Sequence, residues 1–179
     1  MKRNFLFALL LLGMTHALSV VAAPMRYTAE PIEGWVVDKE NGQPLEGVIV
    51  VAHWQLEGGF EGGYPMGQMR VLETLTDAQG RYYFAGWGPE WRPWNAKLKT
   101  RSPQILMFKS GYRYERLENV LNNKSLRGDL DVPLKSDWDK KTIKMEKFNG
   151  SLREYEGHLA FLRTSLDFAY DGENCEWKQ

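Results

Sequence analysis

The chain has 179 residues with 23 basic and 23 acidic side chains, 13% aromatic residues and a single cysteine. No basic tract occurs anywhere along it, so nucleic acid and anionic membrane surfaces are poor candidate partners. Cys175 alone allows no internal disulfide and reads as a buried thiol or an intermolecular link.

The first segment, 1–23, reads as a secretory signal peptide. Met1, Lys2 and Arg3 supply the basic end, Phe5 to Leu12 the apolar run, and Leu18 to Ala23 the small-residue stretch cut after Ala22 or Ala23. A retained N-terminal anchor is the other reading. No cysteine lies near the cut, so no lipid anchor is expected. Beyond Ala23 no apolar run reaches the roughly 20 residues that cross a bilayer, so no stable membrane span is expected after cleavage and the mature protein is placed in the periplasm or outside the cell. Loss of Lys2 and Arg3 leaves 21 basic against 23 acidic residues, and what remains suits one hydrophobic core.

Short β-branched and aromatic runs follow, separated by turn residues. Gly34 to Asp38 ends at Asn41-Gly42-Gln43-Pro44, whose first two residues tolerate positive φ. Val48 to Trp54 is apolar on both alternating faces, which requires cover on each: an opposing sheet on one, a helix or long loop on the other. Met69 to Thr76 meets Asp77-Ala78-Gln79-Gly80 and then Arg81 to Phe84, the pattern of a hairpin closed by a left-handed glycine. Further strands are expected at 104–109, around 112–117, and at 142–145, giving two sheets packed face to face.

The period then changes. Leu152, Tyr155, Leu159, Leu162, Leu166 and Ala169 recur at three- and four-residue steps and predict an amphipathic helix over about 151–170. Ser151 with Glu154 forms a capping box at its start, and Gly172 supplies the stop. Its apolar stripe is expected to cover the second face of the Val48 to Trp54 strand; docking onto a partner protein is the alternative use.

Gly34-Trp35-Val36-Val37-Asp38, Asn41 through Val48, and Thr76-Asp77-Ala78-Gln79-Gly80-Arg81-Tyr82-Tyr83-Phe84 together resemble the carboxypeptidase regulatory-like domain, and Lys109-Ser110-Gly111-Tyr112 resembles the lysine-x-glycine-tyrosine that often follows. The resemblance covers half to two-thirds of the mature chain and rests on turn and core positions. It implies an all-β fold, a seven-stranded Ig-like (transthyretin-like) β-sandwich over 24–148, with the C-terminal helix and tail of 149–179 packed on it. It also implies a role as an accessory, receptor or stand-alone envelope module. The long aromatic insertions and the helix depart from the family pattern.

Chemistry-bearing patterns are sparse. After the signal peptide only His53 and His158 remain, without zinc-ligand spacing; they would have to meet across the helix–strand interface to serve an unrecognised metal-dependent hydrolase. The transthyretin-like hydroxyisourate hydrolases end in tyrosine-arginine-glycine-serine, unlike this chain, and intradiol dioxygenases use two tyrosines with two histidines close in sequence. No GxSxG elbow is present, and Glu173 and Glu176 beside Cys175 disfavour its thiolate. Asp129 with Asp131, and Asp137 with Asp139, read as solvated loop charge or as carboxylates sharing one side of an extended segment. No catalytic residue, metal or cofactor is expected.

Two aromatic, glycine- and proline-rich stretches stand out: Gly58 to Met66, and Trp87 to Trp94. Rings held there either stack on a ligand, with Arg92 pairing a carboxylate, or fold back to close a minor core. The candidate binding residues are Phe60, Tyr64, Trp87, Trp91, Arg92 and Trp94. The function expected is a non-catalytic binding or scaffold module of the cell envelope, with a protein partner first, a glycan second, and an accessory or inhibitory subunit of an envelope enzyme as a further alternative.

Overall fold

The computed structural model describes residues 25–58, 63–120 and 132–170, with side chains to 165 in the last span. The signal-peptide segment, Phe60, Asp129, Asp131, Gly172 and Cys175 lie outside the described residues. Within them the chain is mostly β, with one helix.

The strands are β1 (Arg26–Ala29), β2 (Ile32–Asp38), β3 (Ile49–Gly58), β4 (Tyr64–Leu75), β5 (Arg81–Phe84), β6 (Trp87–Trp91), β7 (Ala96–Leu98), β8 (Gln104–Phe108), β9 (Glu115–Glu118) and β10 (Lys141–Met145); α1 spans Leu152–Tyr170. One sheet has the order β10-β2-β5, a second β4-β3-β8-β9 with β7 also on β3, and β1 and β6 form a two-stranded ribbon. β10 runs parallel to β2, while the pairings within the five-stranded sheet are antiparallel.

Each of the seven expected runs overlaps a strand, the 112–117 run only from Glu115. The chain adds β1, β6 and β7, giving ten among the described residues. All three additions involve stretches whose glycines, prolines and short length hide a strand signal from sequence: β6 crosses the Trp87 to Trp94 segment, with Pro89 tolerated in a two-stranded ribbon that has free edges. β3 also runs on to Gly58 and β4 begins at Tyr64, so the first glycine-rich stretch is shorter as a loop than its composition suggests.

The two larger sheets share one core, to which β2 gives Ile32 and Val36, β5 Tyr82 and Phe84, β10 Ile143 and Met145, β3 Val50, Ala52, Trp54 and Leu56, and β8 Ile105 and Met107. Successive side chains alternate across a strand, so Val51, His53 and Leu106 point the other way, and they too are buried. α1 covers that second face. Its first turns bond the segment before β9, through the Gly111 N–H donated to the Tyr155 hydroxyl at 3.2 Å and the Tyr114 N–H donated to His158 Nε2 at 2.8 Å. It also lies against β4, at the opposite side of the sheet order from β9.

The capping box forms as expected, with the Ser151 N–H donating to Glu154 Oε2 at 2.7 Å and the Glu154 N–H to Ser151 Oγ at 3.3 Å. The apolar stripe needs correction at its start: Leu152 is 88% exposed. The inward line instead runs through Tyr155, His158, Leu159, Leu162 and Ser165, because the aromatic ring of His158 takes a packing place that a purely apolar count passes over.

The expected hairpin between the third and fourth runs does not form. Its turn closes as anticipated, with the Asp77 N–H to Arg81 O at 2.9 Å and the Gly80 N–H to Asp77 O at 2.8 Å, and with Asp77 Oδ1 accepting the Gln79 and Arg81 amides. The strands on either side belong to different sheets: β4 pairs with β3 and β5 with β2. The turn is a corner. Gly80 is required there twice over, for its φ of +71° and because a Cβ would lie 2.4 Å from Val36 O.

Candidate functional site

The aromatic residues singled out from sequence divide into two groups. Trp87 faces inward at 7% exposure, its ring 5.2 Å from Trp54 at 85°, an edge-on pair typical of a packed core. It is a core residue, not a binding residue. What decides this is the β1–β6 ribbon, in which Trp87 sits opposite Ala29 and is laid onto the core.

Arg92 also leaves the site. Its guanidinium donates to the carbonyls of Pro93, at 3.0 Å, and of Trp94 and Ala96, and it bonds the phenol of Tyr27. Tyr27 is itself buried, and burial pushes its hydroxyl up against the lowering influence of Leu98 and Arg92. Arg92 thus ties the turn after β6 to β1 and β7, with donors directed to backbone carbonyls.

Three of the expected rings remain exposed: Tyr64 at 74%, Trp91 at 68% and Trp94 at 85%. The sheet brings Tyr64 and Trp94 to one end. Gly58, the last residue of β3, has Tyr64 opposite it on β4 and Ala96 opposite it on β7, and Trp94 stands two residues before Ala96. A Cβ on Gly58 would lie 2.6 Å from Met66 Cγ and 3.3 Å from Asn95 O, so the thioether of Met66 crosses the bare glycine towards the Trp94 turn. Trp91 belongs to the same segment through the ribbon: it pairs with Arg26, whose guanidinium stacks 5.1 Å over its ring.

Sequence reasoning did not single out Met66 or Arg26. The place of Met66 after Pro65 at the close of a glycine-rich stretch was a usable signal. The Arg26–Trp91 contact depends on the register of two short strands far apart in sequence, and no local pattern announces it.

The two histidines are occupied separately. His53 is buried, and its ring nitrogens meet Gln68 Oε1 at 3.1 Å and Gln104 Oε1 at 2.8 Å. Burial lowers its pKa, with the glutamine bonds opposing. His158 Nε2 takes the Tyr114 N–H, and its ring packs among Tyr114, Phe148 and Tyr155. Asp137 and Asp139 do not face one site either: Asp137 Oδ2 accepts the Val120 N–H at 2.7 Å and Asp139 Oδ1 the Glu33 N–H at 2.9 Å. Among the described residues no group of three or more His, Cys, Asp or Glu side chains is placed to hold a metal ion, and no helix is long and apolar enough to cross a membrane.

No family model and no curated protein matches the chain. Among solved structures, the 3-chlorocatechol 1,2-dioxygenase of Rhodococcus opacus 1CP is similar over 70% of this chain at 18% identity and a TM-score of 0.36; the match spans 64% of that enzyme's length. A likeness of that size carries no argument about fold or activity.

Proposed function

We propose that the chain is an exported, non-catalytic binding module of the cell envelope, a transthyretin-like sandwich of the carboxypeptidase regulatory-like kind whose seven shared strands carry an added ribbon and helix. A protein partner docks at the end formed by Tyr64, Met66, Trp91 and Trp94. The observation that supports this reading is that Tyr64 and Trp91 are held outward on paired strands and Trp94 on the turn between β6 and β7, while Trp87, from the same segment, is packed inward. Large apolar rings exposed on a rigid frame mark interaction surfaces. Tryptophan, tyrosine and arginine are the side chains that dominate protein–protein hot spots, and this end joins them, with Arg26 stacked on Trp91, which favours a protein partner.

The test is capture by cross-linking in the native envelope with Trp91→Ala/Trp94→Ala protein. Both rings are exposed, so the variant is expected to keep wild-type stability within about 0.5 kcal/mol and to lose its adducts. Capture of the same partners by a folded double variant contradicts the reading.

A further inference from the structure

The His158 side chain joins α1 to the segment before β9. Its Nε2 accepts the Tyr114 N–H at 2.8 Å, so that nitrogen carries no proton in the docked state; an imidazolium, with donors at both nitrogens, is unable to make this bond. The ring is boxed by Tyr114 at 4.6 Å, Phe148 at 5.4 Å and Tyr155 at 6.2 Å. Arg113 stacks 5.1 Å over the same Phe148, so a proton on His158 would set a second cation beside the first.

We infer that His158 is an acid-operated latch: protonating its imidazole turns an acceptor into a donor against the Tyr114 N–H, leaves the Gly111–Tyr155 bond as the one hydrogen bond described between α1 and the 111–114 segment, and so loosens the helix over the sheet face carrying Val51 and Leu106.

The surrounding charges leave His158 as the group that changes. The Arg113 guanidinium reaches Glu146 Oε1 at 3.8 Å. Lys39 holds the Glu146 carboxyl below its ordinary value, and the Ser151 backbone N–H and hydroxyl do the same for Glu154. Glu115, next in β9, is raised by burial against the pull of Lys39 and is the neighbour whose titration has to be separated. Burial first, then Arg113, lowers the pKa of His158. A folded-state pKa below the free value gives docking strength that is intact above about pH 6.5 and is lost as pH falls through the lowered value.

The test is hydrogen exchange of the full chain between about pH 7.5 and about pH 5, corrected for intrinsic rates, with the His158 ring followed by NMR. Expected is a fall of at least about tenfold in protection of α1 amides, with the same midpoint as the His158 ring and with β3 and β8 still protected. His158→Gln offers a neutral oxygen to the Tyr114 N–H and is expected to keep protection level across the range, although Glu115 is intact. Constant protection in the wild type overturns the latch, as does equal acid release in His158→Gln. Loss from β3 and β8 in step with the helix also overturns it.

Discussion

Thr76 shows how much one hydroxyl does at the corner between the two large sheets. Its Oγ1 donates to Leu45 O at 2.5 Å and accepts the Val48 N–H at 2.8 Å, all of it buried. Thr76→Val keeps the shape and removes both bonds, leaving a buried donor and a buried acceptor unpaired; a loss of about 1–3 kcal/mol is expected in denaturant unfolding, against a small change for Thr76→Ser. Asp38 does comparable work at the end of β2: Oδ2 accepts the Tyr112 hydroxyl at 2.8 Å and lies 3.3 Å from Lys147 Nζ, and Oδ1 accepts the Glu40 and Asn41 amides. The Tyr112 bond first, and then the two amides and Lys147, hold its pKa down at about 2. Its contribution to stability is therefore full above the ordinary carboxylate range and is lost as pH falls towards 2; Asp38→Asn should abolish that acid limb. His53 works with the same sign higher on the scale. Buried between Gln68 and Gln104, with its pKa lowered by that burial, it opposes unfolding fully above about pH 6.5 and progressively less below. Global unfolding midpoints in the His158→Gln background are expected to fall through that window, and a flat profile would contradict the burial of a neutral ring.

Among the elements, the helix was the most legible from sequence. Ser151 and Glu154 announce its start through short-range hydrogen bonds that need no tertiary partner, and the seven strand runs are readable because alternation and turn chemistry are also local. Pairing is different. The Asp77–Gly80 turn has the same residues whether it closes a hairpin or a corner, and only the partners of β4 and β5 decide which. Along α1, Leu162 is buried and Leu152 is 88% exposed although both are leucines on the expected stripe; the helix settles with His158 between Tyr114 and Phe148, which rotates Leu152 away. Leu162→Ala is expected to cost about 2–5 kcal/mol and Leu152→Ala to stay within about 0.5 kcal/mol, both read from denaturant unfolding.

For the whole molecule, the candidate site was legible only in part. Trp87, Trp91 and Trp94 share one short segment and one side-chain chemistry, and composition marks all three alike. Trp87 and Trp91 are four residues apart and would share a face of a regular strand; the register shift in the β1–β6 pairing between Tyr27 and Ala29 separates them into one buried and one exposed ring, and Trp94 follows on the turn pinned by Arg92 to the Ala96 carbonyl. The result is one protein end that carries aromatic surface beyond the ordered core, while the three-stranded sheet elsewhere shows the exposed ring of Tyr83 with Arg81 over it. That contrast allows the most direct test of the docking end. A photo-cross-linking side chain is placed in turn at Tyr64, Trp94 and Tyr83, and the protein is irradiated in its native envelope. Adducts to one shared partner are predicted from positions 64 and 94 and not from 83; adducts from 83 alone, or equally from all three, would contradict a partner seated on the aromatic end.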